Sequence, residues 1–422
     1  MPLIASPPFS CPSLWTRHHL FGVGGVHTIS CVDRTYLLIK LGILSKQNAN
    51  KIKMKRRYDW IDYSRFAAAL SVVAFHYLFN GIAGGKVFTF AAFEPITEYV
   101  KYGYLGVDLF FIISGFVILN SASGKTADQF AVGRALRLYP AFLICMTFTA
   151  AVSLFWGGPD MTVNWRQYVA NLTMLQKAFG QPGVDGVYWT LFYEIQFYVA
   201  VCFLILLNQV RRLETIVLAW AALLVLGNAI APSLPLRTVP LLGGYFTYFA
   251  SGCLFAYAYR DGFKLRTIAA LCALAYTAVQ FGLAKSAAIE ASHHVLYSQT
   301  LVSIIIISFY VLFALFKMPS LSAIKLPRAQ LFGGLTYPLY LSHAHLGYMV
   351  FNRFGDQQNQ WILVLLMVCV SISLAYLVHT RIEHGCKDFS MWALDSTIGK
   401  IVRAVMAVLR GGGGPTLPSQ PT

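Results

Sequence analysis

The sequence predicts an all-α, polytopic membrane helix bundle of about ten transmembrane helices with both termini cytoplasmic. Three observations carry that reading. Of the 422 residues, 57% are hydrophobic and only 12% charged, against roughly 45–50% and about 25% in soluble chains. The mean hydropathy is +0.59. The apolar residues fall in blocks of about twenty, the length that crosses a hydrocarbon core of ~30 Å. The third observation is that Lys and Arg gather in alternate loops, which sets orientation in membrane proteins. Half the usual charge cannot coat a soluble globule of this size.

The blocks follow in order. The first, 60–80, opens after Lys55-Arg56-Arg57 and holds Arg65 and His76. The second, 104–121, runs through Gly106-Val-Asp-Leu-Phe-Phe. The third, 138–156, is entered from Arg134-Ala-Leu-Arg137, and the fourth, 188–207, carries Glu194. The next four, 213–231, 239–259, 266–284 and 298–316, are apolar runs between basic loops. The ninth, 333–352, holds His343 and His345, and the tenth is 360–380. Pro, Gly and Ser inside several of them are tolerated where membrane helices pack on neighbours. A β-barrel needs alternating segments of ~10 residues, and these runs are too long and too uniformly apolar.

With 51–57 taken as the first loop, that segment, the alternate loops after it and the tail hold 21 Lys and Arg. The opposite set holds 7: Lys86, Lys101, Arg166, Lys177, Arg237, Lys285 and Arg353. The same distribution explains the net charge of +16 without nucleic acid. The eight cysteines form no C-x-x-C pair and mostly lie in apolar blocks. They are expected to pack as small hydrophobes, with no disulfide frame and no metal site.

Three regions are expected. Residues 1–53 are mixed in character, lack a signal-peptide pattern, and are taken as a disordered extension or a misassigned start before Met54. Residues 54–385 form the membrane domain. Residues 386–422 form a cytoplasmic tail in which Ile401–Arg410 is a basic amphipathic helix on the inner surface, followed by a disordered end from Gly411. The longest outer loop is 157–187, so no large soluble domain is expected on either side.

A charge at mid-membrane costs ~2.5–3.5 kcal/mol on insertion scales, so each such residue is a functional candidate. Eleven helical steps separate Arg65 from His76, leaving an angular offset of ~20° and a rise of ~16 Å. Both therefore share one face, Arg65 toward the inner side and His76 in the outer half. Alone, Arg65 reads as a snorkelling residue and His76 as a packing histidine; together they suggest a polar track. By depth, His76, Asp108 and Glu194 could meet in the outer half, where a carboxylate-oriented imidazole makes a workable base for a hydroxyl. Asp108 reads first as a helix-terminal residue facing outer water. Glu194 reads equally as a structural or a catalytic partner. Arg134 and Arg137, at i and i+3, can grip phosphate through forked donors, although a basic pair is also what an inner loop carries anyway. His345 and His379 read as core or interface residues. Trp156, Trp165 and Tyr168 near the outer loop make a sugar platform or, more commonly, an interfacial belt.

Taken together, these residues resemble the acyltransferase-3 family of integral membrane O-acyltransferases, from about Tyr58 to about Glu383. Five motifs in order carry the resemblance: Arg65 with His76, Gly106–Phe116, Arg134 with Arg137, Trp189–Glu194, and Tyr337–His343. The resemblance implies movement of an acyl group, usually acetyl, from cytoplasmic acyl-CoA to a hydroxyl of a cell-envelope or exported saccharide, in a bacterial inner membrane. It implies that His76 is catalytic, as base or acyl carrier, with Glu194 its orienting or proton-accepting partner. Arg65, Arg134 and Arg137 would face the CoA phosphates, and Asp108, Trp189, Tyr193 and His343 would support or touch substrate. No metal is expected. Partners would be membrane lipids, the glycan acceptor and possibly a separate envelope protein, since some relatives carry a fused outer domain and no loop here is long enough for one.

Two other readings stand beside this one. A transporter or exporter of a glycan or acylated metabolite would use the same buried charges as a path. Transporters often show inverted repeats, and the Arg65/His76 pattern has no counterpart in the second half. A non-catalytic lipid-binding scaffold would tolerate replacement of both residues.

Overall fold

A computed structural model describes residues 58–230 and 239–409. The expected extension at 1–53 and the end of the tail lie outside them. The regular structure of the described residues is all helical, with no strand among them. Seven helices are long and apolar enough to cross a membrane: α1 (Asp59–Ala83), α2 (Thr97–Ala122), α3 (Ala127–Trp156), α4 (Gly186–Leu206), α5 (Gln209–Ile230), and two further on. Those two are α7 (Leu265–His293) and α11 (Gln360–His384). Shorter helices occupy the other expected blocks: α6 (Tyr245–Asp261), α8 (Gln299–Leu315), α9 (Ala329–Ser342) and α10 (Ala344–Phe354). Two more follow, α12 (Lys387–Leu394) and α13 (Lys400–Leu409). The chain is an integral membrane protein.

Helix α1 runs through the middle of the bundle, which explains why it can carry a site. Trp60, Ala68, Val72 and Phe75 pack into the larger apolar core with α2 and α6, whereas Ala69, Val73 and Tyr77 pack into a second core with α9, α10 and α11. Its regular turns end at Phe75, and a π-turn, His76–Asn80, follows. Such turns are rare and favour functional positions; no residue pattern in the sequence announces this one.

The tightest crossing joins α2 to α6. A Cβ on Gly115 would collide with the backbone oxygen of Phe249, and one on Gly252 with that of Ile112. Small residues on both helices let the backbones meet, the usual means of packing where no hydrophobic drive separates helix from lipid. As a result α6 is buried along nearly its whole length.

Two boundaries differ from expectation. The seventh block extends to His293, so Lys285 sits within a helix rather than in an outer loop. The ninth block is divided at His343. There Nδ1 of His343 lies 2.9 Å from the Tyr340 oxygen and 3.2 Å from that of Leu339. A side chain inserted into the helical ladder in this way ends one helix and starts the next.

Candidate active site

Helices α1, α2, α3, α4 and α9 enclose a cavity of about 240 Å³. On α2 it is lined by Val107, Phe110, Phe111, Ser114, Val117 and Ile118, a single face at helical spacing. Arg65 from α1, Arg134 and Arg137 from α3, and Glu194 and Tyr198 from α4 bring its charged and polar groups. Tyr337 and Tyr340 from α9 complete the wall. Three guanidinium groups from two separate blocks therefore share one space with a single carboxylate.

Their commitments differ. Arg137 is paired with Glu383 at 3.3 Å and lies 5.7 Å from the Tyr337 ring. Glu383 in turn meets Nδ1 of His379 at 2.6 Å. Arg134 is held between rings, 6.0 Å from Phe130 and 5.9 Å from Tyr198, and its buried Nε has no partner among the described residues. Arg65 makes no ion pair among the described residues; the charges it senses are Arg137, Asp62 and Glu194. Glu194 accepts a hydrogen bond from the Tyr198 hydroxyl one turn on. The cavity thus has an excess of cationic donors and a buried unsatisfied N–H, which suits a phosphate-bearing ligand.

His76 does not line this cavity. Its ring meets His343 edge to face, with centroids 5.0 Å apart, and lies 6.2 Å from Tyr348. Tyr340 joins the two places, because it lines the cavity and its ring packs 5.8 Å from His343. Its hydroxyl is tied to Thr190 and the Val187 oxygen. A chain of contacts thus leads from the arginines through Tyr340 and His343 to His76.

The expected meeting of His76, Asp108 and Glu194 does not occur. Residues 184–188 fold into the bundle instead of marking its surface: Asp185 is buried, accepting from the backbone N–H groups of Val187 and His345, and the Tyr188 hydroxyl bonds the Leu341 oxygen. Helix α4 therefore starts deep, and Glu194 reaches the arginines. Asp108 does not face outer water either. It follows Val107 by one ~100° step, points away from the cavity and is 0% exposed. Its Oδ1 pairs with Lys285 at 3.3 Å, and Lys285 sits 4.7 Å from the Tyr104 ring and 5.1 Å from that of Tyr245.

Trp189 and Tyr193 pack around Tyr245 at 4.9 and 5.0 Å and do not line the cavity. His345 clamps the buried loop, its Nδ1 at 3.1 Å from the Val184 oxygen and its Nε2 accepting from the Gly186 N–H. Of the outer aromatics, Trp165 is 72% exposed, whereas Trp156 packs on Phe354 and Tyr168 bonds Thr147. Sequence reading passed over Tyr198, Lys285 and Glu383. Each had a signal: Glu194/Tyr198 and His379/Glu383 are i, i+4 pairs, and Lys285 is an apolar-flanked lysine.

Comparison with known proteins agrees with this picture. A family model described as an acyltransferase domain matches residues 58–380. The exopolysaccharide production protein ExoZ of Rhizobium meliloti (strain 1021) is 26% identical over 150 residues, 34% of this chain and 47% of that protein. Nodulation protein 10 of Rhizobium leguminosarum bv. viciae is 29% identical over 139 residues, 28% of this chain and 38% of its own. The peptidoglycan O-acetyltransferase OatA of Listeria monocytogenes serovar 1/2a (strain ATCC BAA-679 / EGD-e) is 27% identical over 158 residues, 33% of this chain and 22% of its own. The matched region spans less than half the length of each of these relatives. No solved structure matches.

Proposed function

This chain belongs to the acyltransferase-3 family, and we propose that it moves a short acyl group, acetyl above all, from cytoplasmic acyl-CoA to a hydroxyl of a cell-envelope or exported saccharide. The observation that carries the reading is the cavity itself: Arg65, Arg134 and Arg137 converge on it, and its wall reaches His76 through Tyr340 and His343. Forked guanidinium donors grip the CoA phosphates. Glu194, held by Tyr198, lines the same cavity as the arginines and supplies its carboxylate.

In the transfer, His76 takes the proton of the acceptor hydroxyl as its oxygen attacks the thioester carbon. The C–S bond breaks, and the proton passes to the departing thiolate. We place the protein in a bacterial inner membrane with ten crossings, with both termini and the arginine cavity toward the cytoplasm. Its acceptor arrives from the outer side, alone or with a separate envelope protein.

The test supplies membranes with radiolabelled acetyl-CoA and total envelope glycan. His76→Ala and Arg65→Ala, at normal protein levels, should each lose about 10²-fold or more of the transfer. Undiminished transfer by the His76 variant would remove its catalytic role. Flux of a glycan without label transfer would point to transport instead.

A further inference from the structure

The two histidines that meet edge to face each hold one buried nitrogen with no partner among the described residues: Nδ1 of His76 and Nε2 of His343. Buried polar atoms are nearly always paired, so two adjacent exceptions call for a physical account. His343 is 0% exposed and its Nδ1 sits between the Tyr340 and Leu339 carbonyls. Carbonyls only accept, so Nδ1 carries the proton and Nε2 the lone pair. Several polar groups nearby are already engaged. The Tyr77 hydroxyl donates to the His343 oxygen at 2.9 Å and meets Ser371, the Tyr340 hydroxyl is tied to Thr190 and Val187, the Tyr348 hydroxyl accepts from Asn80, and Asp185 accepts two backbone N–H groups. The two orphans sit on rings packed against each other.

We propose that His343 is a positioning residue that sets the tautomer of His76. With the acyl donor bound, Nε2 of His343 accepts the Nδ1–H of His76. This leaves the lone pair of His76 on Nε2, where it meets the acceptor hydroxyl. A backbone carbonyl thereby orients one imidazole and that imidazole orients the second, the part a carboxylate plays in a serine-hydrolase triad. Catalytic hydrogen bonds are often open before substrate binds, which accounts for the edge-to-face geometry. The inference rests on the acyl-transfer reading for the identity of the proton donor.

Two substitutions separate positioning from packing. In His343→Asn the amide keeps a donor near the Nδ1 position and loses the acceptor at Nε2; in His343→Gln an amide oxygen returns to that place. H343N should lower kcat by about 10²–10⁴-fold with the acetyl-CoA KM unchanged, and H343Q should recover to within about tenfold of wild type. The second readout needs no acceptor. Full-length protein with ¹⁵N-labelled histidine, in lipid bilayers with a non-hydrolysable acetyl-CoA analogue, should show His76 as the Nδ1–H form in wild type and H343Q. It should move toward the Nε2–H form in H343N, with the His76 signals identified by their loss in His76→Gln. Equal loss in both His343 variants, or a His76 tautomer indifferent to H343N, overturns the proposal. If H343N fails to accumulate, the H343Q and wild-type tautomers decide. Transfer of label by wild type to hydroxylamine, a nucleophile independent of the true acceptor, reports separately on the acyl-transfer reading.

Discussion

At the residue scale, the candidate site is governed by which charges are already spent. Arg137 is shared with Glu383, whereas Arg134 has only aromatic faces and an unpaired Nε. Arg134 should therefore contribute more to donor binding. A hydrogen bond to a charged group is worth about 1.5–3 kcal/mol, so Arg134→Ala should raise the acetyl-CoA KM by about tenfold or more, and Arg134→Lys should only partly restore it because a point charge cannot make a fork. Titrating transfer against acetyl-CoA checks this. Asp108 and Lys285 stand apart from the cavity and are predicted to act on stability. Breaking a buried pair costs about 3–5 kcal/mol because the surviving charge is left uncompensated. Asp108→Ala or Lys285→Met should thus lower the thermal midpoint in detergent sharply, and the double variant less than the sum of the two. Additive losses would show that the 3.3 Å contact carries no coupling.

At the scale of elements, most of the helices were legible because apolar blocks of twenty residues leave few alternatives. Arg65, Arg134 and Arg137 were legible too, since a charge beside an apolar run attracts notice wherever it lies. What the linear pattern hid was azimuth and depth. Asp108 differs from cavity-lining Val107 by one step, and hydropathy cannot say which of the two faces inward when both sides of α2 are buried. Glu194 was misplaced because the polar residues before α4 look like a surface loop, yet Asn171 folds that loop on its own backbone and Asp185 and Tyr188 tie it to His345 and Leu341 of the bundle. The π-turn at His76 has no residue pattern that announces it, and the break at His343 comes from the imidazole meeting the Leu339 and Tyr340 carbonyls of its own helix, which hydropathy does not register. Glycines were the opposite case: they look permissive in sequence but prove strict in place. Gly252→Ala forces a Cβ against the Ile112 backbone, which has no side chain to swing aside, so α2 and α6 must part. Overpacking of this kind costs about 1–3 kcal/mol. A lowered thermal midpoint for Gly252→Ala, matched by Gly115→Ala across the same contact, is the expected result. Alanine at either position with wild-type stability would show that the crossing is looser than it looks.

At the scale of the whole molecule, polar contacts between loops and helix ends of the described residues fall into two sets. In one set, Tyr63 bonds the Pro327 oxygen, Glu214 pairs with Lys264 and Arg266, and Arg403 on α13 pairs with Asp128 at the start of α3. In the other, Phe88 bonds Asn352, Ala91 bonds Gln360, and Lys101 bonds the Leu296 oxygen. Such sorting is what the proposed ten crossings require. The sorting leaves the direction of the bundle to charge. The first set is the one rich in Lys and Arg, and α13 belongs to it, with Ile401, Val405 and Val408 exposed beside Lys400 and Arg403, suited to lie on an anionic leaflet. Direction decides chemistry here. Acyl-CoA is a cytoplasmic donor, and the arginine cavity is of use to it only if Arg65, Arg134 and Arg137 lie toward that side. Fusing a fluorescent reporter that matures only in the cytoplasm after residue 409 should give a bright protein. A phosphatase that is active only outside, inserted between 355 and 359, should be active, and the same insert between 262 and 264 should be silent. The reverse pattern would put the arginines on the outer face, remove CoA as the donor for this site, and leave His76 and His343 needing an acyl source from beyond the membrane.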